Sequence, residues 1–110
     1  MDKLRVAFQG EAGAYSEQAV YGHFGKVNAV PSESFESVFE VVSLGKCDAG
    51  LIPIENSLAG SIHQNYDLLL NNDLYITGEY FLRVRHCLIA LPGVQRSDIK
   101  IAISLFFSFF

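Results

Sequence analysis

Apolar positions in this chain fall first into short runs broken by glycine, then into a helical spacing, and after residue 74 into alternation. Leu4 to Phe8 is a short apolar run that opens into Gln9-Gly10-Glu11-Ala12-Gly13, which predicts a strand feeding a glycine-rich loop. A helix is expected from about Ser16 to Phe24, with Gly25 as its stop. Val27 to Val30 reads as a second strand. Phe35, Val38, Phe39 and Val42 recur at helical spacing with Glu33, Glu36 and Glu40 among them, so a second helix is expected, ended by Gly45. A strand over Ala49 to Ile54 and a helix over Ile62 to Leu70 follow. From Leu74 to Ala90 the period is nearer two. Leu74, Ile76, Tyr80, Leu82 and Val84 share one parity, and Glu79, Arg83 and Arg85 share the other, which predicts strands. Pro92-Gly93 marks a turn, and Ile99 to Ile103 reads as a further strand.

The β–α–β–α–β–α opening predicts an α/β fold with a mostly parallel, helix-covered sheet. The change of period at residue 74 reads as the start of a second lobe, and hence a two-lobed architecture with a cleft between lobes.

Composition narrows the function. The chain has 110 residues, room for one domain with a real core, and half of its residues are hydrophobic against 18% charged, which argues against disorder. A net charge of −4 without a basic run argues against a nucleic-acid partner. Cys47 and Cys87 have no metal-ligand spacing and read as reduced core cysteines of an intracellular protein. No secretory or transit signal is recognised, because Met1-Asp2-Lys3 passes straight into a strand. The apolar stretch Ile101 to Phe110 is too short to span a bilayer, so no membrane association is expected, but uncovered it would be an aggregation-prone edge.

The stretch richest in candidate chemistry is Pro53-Ile54-Glu55-Asn56-Ser57-Leu58-Ala59-Gly60-Ser61. An apolar strand there delivers an acid, an amide and two hydroxyls onto a glycine-bearing turn before a helix, which is where α/β proteins hold small anions. The alternative is a plain strand–helix connection in which Ser61 and Gln64 form a capping box. Both readings stand on the residues alone. Gly10 and Gly13 match neither the G-x-x-x-x-G-K-[ST] nor the G-x-G-x-x-G pattern, so a nucleotide site is disfavoured. Backbone N–H groups there can still hold a carboxylate, or simply make a tight turn, and Ser16 is equally a helix cap or a ligand donor. His23 reads as a surface residue, His63 as near the site, and His86 as packing. None of them has metal-ligand spacing, and no metal or organic cofactor is expected. Ser57 lacks a G-x-S-x-G elbow. Arg83 and Arg85 either neutralise a dianion or form a solvated face.

Four ordered segments carry a family resemblance. Val6 to Glu17 (V-A-F-Q-G-E-A-G-A-Y-S-E), Ser34 to Phe39 (S-F-E-S-V-F), Pro53 to Leu69 (P-I-E-N-S-L-A-G-S-I-H-Q-N-Y-D-L-L), and Gly78-Glu79 with Arg85-His86-Cys87-Leu88 resemble prephenate dehydratases and the related arogenate dehydratases. The resemblance covers about residues 4–104. It implies decarboxylating dehydration of prephenate to phenylpyruvate, or of arogenate to phenylalanine, on a two-lobed fold similar to the type II periplasmic-binding-protein kind, without a cofactor. Carried over by position, Glu55, Asn56 and Ser57 match the family's active-site motif. Gly60 and Ser61 would complete that wall, with Gly13 and Ser16 facing it as substrate-binding residues. The reaction must hold two carboxylates and protonate a departing hydroxyl.

The sequence also departs from the family. After the position of Ser104 the family continues with His-Pro-Gln and later with Thr-Arg-Phe, whose Thr is its implied general acid. Here Ser104 is followed by Leu-Phe-Phe-Ser-Phe-Phe. The expected organisation is therefore residues 1–104 as the N-terminal part of the catalytic domain and 105–110 as an apolar tail. The chain alone is expected to be inactive and poorly folded, and the full-length protein to be a homo-oligomer. Its compartment would be the cytoplasm, or the plastid stroma for a plant. The rival readings are a non-catalytic small-anion binding module of the same fold and a gene product without function.

Overall fold

The computed structural model describes residues 3–56, 60–85 and 87–103. The expectations for Ser57 and His86, and for the tail over 105–110, lie outside those residues. The described elements run β1 (Arg5–Gln9), α1 (Tyr15–Phe24), β2 (Asn28–Ser32), α2 (Phe35–Ser43), β3 (Ala49–Leu51), β4 (Glu55–Asn56), β5 (Gly60–Ser61) and α3 (His63–Asn71), with a 3-10 turn at Arg96–Asp98.

The sheet is parallel, in the order β2-β1-β3. Its centre is β1, the most buried of the three strands, whose side chains Val6, Ala7 and Phe8 are buried on both faces. Val6 and Phe8 pack with Val20 of α1 and with Val27 on one face, while Ala7 packs with Val38 of α2 and Cys47 on the other. Alternation along one strand thus assigns one helix to each face, and burial on both faces explains the unbroken apolar run in the sequence. Pro31 lies in β2 opposite Phe8, and the outer position of β2 tolerates a residue without an N–H.

Helix boundaries have local causes. Ser34 caps α2, its hydroxyl accepting from Ser37 N–H at 3.1 Å. Gly25 ends α1 in a left-handed conformation (φ +76°), its N–H donating to the Tyr21 carbonyl at 2.9 Å. The Asp48 carboxylate accepts from Arg5 N–H at 2.8 Å and ties the start of β3 to the start of β1.

Several expectations are corrected. The third strand ends at Leu51 instead of Ile54, because the chain leaves the sheet to make the β4–β5 hairpin before α3 begins. Residues 74–90 form no strand among the described residues, and neither do 99–103. The alternation over 74–85 is real in part: Leu74 and Leu82 are half-buried, while Tyr75 and Phe81 are 89% and 86% exposed. An extended segment becomes a strand only where another strand completes its ladder, and no described residue pairs with this one. The segment runs instead over α1, where the Tyr80 ring meets His23 edge-on at 5.9 Å. Cys47 is buried as expected, but Cys87 is exposed because it lies on this unpaired stretch; both thiols are free.

Candidate functional site

All three parallel strands end at the same edge of the sheet, so the loops that follow β1, β2 and β3 open there together. From β1 the chain crosses to one side of the sheet to make β2, and from β2 it crosses back to make β3 on the other. The switch point therefore lies between β1 and β3, where open α/β sheets form a crevice for ligands. The loop after β1 carries Gly13 and leads to Ser16 in α1, and the chain after β3 carries Glu55, Asn56, Gly60 and Ser61. Topology thus brings both groups of expected site residues to one edge. It does not bring them into contact, since among the described residues neither β4 nor β5 packs on α1.

The second group stands on a hairpin. Glu55 pairs with Ser61 and Asn56 with Gly60, and Ile62 N–H donates to the Ile54 carbonyl at 2.8 Å below them. Gly60 turns the chain with φ +79°, a left-handed conformation that strains any other L-residue. Ser61 therefore sits in a strand and does not cap α3. The N-cap position is Ile62, which makes no side-chain cap bond, and the Gln64 amide donates to the Glu36 carboxylate on α2 instead. Glu55, Asn56, Gly60 and Ser61 are exposed, as is His63 in the first turn of α3.

The first group differs from expectation in one atom. The Gly13 N–H (φ +91° at this residue) donates to the Glu17 carboxylate at 3.2 Å. The head of α1 does hold a carboxylate, but it is the chain's own, supplied by Glu17, the third residue of the helix, to the N–H one residue before the N-cap Ala14. Ser16 is half-buried inside α1, and the N-cap position is Ala14. The Tyr15 hydroxyl donates to the Arg85 carbonyl at 3.4 Å, which ties the main chain of Arg85 to this same helix head.

A depression of about 400 Å³ opens at the same edge, between the ends of β1 and β2, lined by Gln9, Gly10, Glu11, Pro31, Ser32 and Glu33. Its two carboxylates suit an anionic ligand badly, and it lies away from the β1–β3 switch point. Glu36, exposed in the first turn of α2, has its carboxyl held below the ordinary value. Its own backbone N–H is the main cause, followed by the Gln64 amide. Among the described residues no three His, Cys, Asp or Glu side chains group as a metal site, and no helix is long and apolar enough to cross a membrane.

One polar residue of this region escaped the sequence reading. Asn65 in α3 is fully buried, and its Nδ2 donates to the Pro53 carbonyl at 2.7 Å. Its signal was an amide in the apolar stripe of α3, between Ile62 and Leu69.

Curated relatives share about half of this sequence. The chain is 50% identical over 102 residues to arogenate dehydratase/prephenate dehydratase 1, chloroplastic, of Arabidopsis thaliana, covering 93% of this chain and 26% of that protein. It is 51% identical to arogenate dehydratase 2 of Petunia hybrida, with the same coverages. The chain thus spans about a quarter of the length of these relatives. Among solved structures, GqqA, described as a novel type of quorum quenching acylase, superposes with a TM-score of 0.67 at 35% identity over 73% of this chain and 41% of that one. Prephenate dehydratase from Streptococcus mutans superposes with a TM-score of 0.59 at 24% identity over 62% of this chain and 36% of that one, a likeness of fold. The sequence model of the prephenate dehydratase family matches residues 6–109, and so extends into the apolar tail; over nearly its whole length, this chain belongs to the prephenate dehydratase family.

Proposed function

We propose that this chain is the N-terminal part of the catalytic domain of a prephenate or arogenate dehydratase. The observation that supports the reading is that the Gly13–Ser16 loop and the Glu55–Ser61 hairpin both follow strand ends at the same edge of the sheet, beside the β1–β3 switch point, without touching one another among the described residues. In the reaction, the bond between the ring and one carboxylate breaks and its electron pair enters the ring. The ring hydroxyl leaves as water after protonation, and carbon dioxide is released. Aromatisation drives the elimination, so the protein has to orient the substrate, hold its carboxylates and supply one proton. Asn56 and Ser57 donate to substrate oxygens in this reading, and Glu55 orders them. Gly60 and Ser61 extend that wall, and Gly13 and Ser16 face it.

No metal or organic cofactor enters this chemistry, and neither nucleic acid nor a membrane is a partner. The second wall and the general acid belong to the family's Thr-Arg-Phe region, whose sequence is not among these 110 residues. The two-lobed architecture and homo-oligomeric assembly are accordingly assigned to the full-length protein, and the isolated chain to no turnover. The chloroplastic names of its relatives support a plastid protein if the source is a plant. A non-catalytic anion-binding module of the same fold is the second reading; the Gly13 N–H can hold a carboxylate, and an external anion there would have to displace that of Glu17.

The test is Asn56→Ala in the full-length protein, with phenylpyruvate formation from prephenate and phenylalanine formation from arogenate both followed. Loss of one oriented donor should lower turnover about 10²–10³-fold with the fold intact. Unchanged turnover at unchanged stability would sink the assignment. Ligand protection in a thermal melt without turnover of either substrate would favour the binding module.

A further inference from the structure

Below Glu55 and Asn56, hydrogen bonds of two different kinds join the base of the hairpin to the start of α3. Nearest the strands, Ile62 N–H donates to the Ile54 carbonyl at 2.8 Å and continues the β4–β5 ladder. One residue further back along the chain lies Pro53, and by then the opposite strand has turned into α3. There the rung is made by a side chain, with Asn65 Nδ2 donating to the Pro53 carbonyl at 2.7 Å. Asn65 Oδ1 is buried, with no hydrogen-bond partner among the described residues. Burying an amide whose acceptor is unmet is unfavourable, and an aliphatic side chain at this place in the stripe would avoid that cost. What the aliphatic side chain would lack is the bond to Pro53.

We propose that Asn65 is a positioning residue, whose side-chain rung to Pro53 locks the register of the Glu55–Ser61 hairpin on α3. As a claim about catalysis it rests on the reading of that hairpin as the dehydratase site; as a claim about the hairpin it stands apart. Without the rung, the backbone bond from Ile62 to Ile54 remains below Glu55 among the described residues, and the angle of the hairpin on α3 is less constrained.

The experiment is amide hydrogen exchange by NMR on the 110-residue chain. It compares the Ile62 amide with the Asn28 amide, whose bond to the Leu4 carbonyl at 2.8 Å reports the parallel sheet. In Asn65→Leu, protection at Ile62 should fall about tenfold or more while that at Asn28 holds, the loss of one hydrogen bond. Protection at Ile62 that survives with the sheet intact overturns the proposal. Should the Leu variant lose the sheet as well, Asn65→Asp decides. Burial raises the pKa of the introduced carboxyl, and its neutral form can donate to the Pro53 carbonyl as the amide does. Protection at Ile62 relative to Asn28 should then be near wild type at low pH and fall as pH rises through that pKa. The titratable side chains on the elements around Asn65 are Glu36 and Glu40 on α2, Glu55 on β4, and His63, Tyr66 and Asp67 on α3. All are exposed, and the wild-type chain carries them unchanged as the reference. A ratio that does not change with pH beyond wild type overturns the proposal. Neither outcome depends on turnover, so a failed Asn56→Ala test would remove the dehydratase reading and leave the rung standing, and the converse holds too.

Discussion

At Gly50 the side chains of α2 lie close against β3, and replacing this glycine with alanine is the sharpest test of how that face is packed. A Cβ built at Gly50 would lie 2.8 Å from Val38 Cγ1 and 3.2 Å from Val42 Cγ2. Ordinary contact between such atoms begins near 3.5 Å. Val38 is 2% exposed, and a valine in a helix holds essentially one χ1 rotamer, so it cannot swing aside. The helix as a whole must lift from β3. Overpacking of this kind costs about 1–3 kcal/mol. Replacing glycine within a strand returns roughly 0.5–1 kcal/mol of backbone entropy. The net expectation is a loss of about 1–2 kcal/mol, read as a drop of roughly 0.5–1.5 M in the urea midpoint. The partner test is Val38→Ala. That change removes two buried methyl groups and should destabilise by about 1.5–2.5 kcal/mol alone. Combined with Gly50→Ala, it vacates the space the new methyl needs. The double variant should therefore be more stable than the sum of the two losses by about 1 kcal/mol or more. A Gly50→Ala chain as stable as wild type, or strictly additive losses in the double variant, would refute the packing argument.

Three further outcomes are expected. At Gly22 a Cβ would fall 2.6 Å from Tyr80 Cζ, so Gly22→Ala should displace Tyr80 and abolish the ring-current shift at His23 while strengthening α1 by up to ~1 kcal/mol; a preserved shift counts against the contact. Ser34→Ala removes the α2 cap and should cost about 1 kcal/mol by urea denaturation, with Ser34→Gly costing only a few tenths, and equal losses for the two would mean that the hydroxyl is not the cause. The Glu36 carboxyl is held below its ordinary value of 4.5, so its stabilisation is complete above that pH and disappears as pH falls through the lower folded-state value; Glu36→Gln should flatten this part of the Tm–pH curve, and an unchanged acid limb would refute the linkage.

The opening βαβαβ was legible because each element there carries its own signal. The Leu4–Phe8 run, the helical spacing of Phe35, Val38, Phe39 and Val42, and the stops at Gly25 and Gly45 need no distant partner to be read. The 74–90 segment failed for the opposite reason. Alternation shows that a chain can present two faces, but ladder hydrogen bonds need a second strand, and pairing is not written in the segment itself. The Pro53–Ser61 stretch fell between these cases. Its residue types marked it as a candidate site, while the hairpin was hidden because two-residue strands are too short to show a period. Ser61 and Gln64 fit a capping box by spacing, yet a longer-range bond from Gln64 to Glu36 took the side chain that the box would have used. The Glu17 carboxylate on Gly13 N–H and the buried amide of Asn65 are likewise visible only in three dimensions.

The place of β1 in the centre of the sheet also sets a schedule for synthesis. The strand is made first, yet β3, which covers its second edge, begins about forty residues after β1 ends, which at ordinary elongation rates is roughly 2–8 s later. Until α2 is made late in that interval, Val6, Ala7 and Phe8 can be sheltered only by α1 on one face and β2 along one edge. The open edge and the face awaiting α2 are what a chaperone would find on a nascent chain. A pause or a break in translation before Phe35 would leave the most buried strand of the sheet half covered.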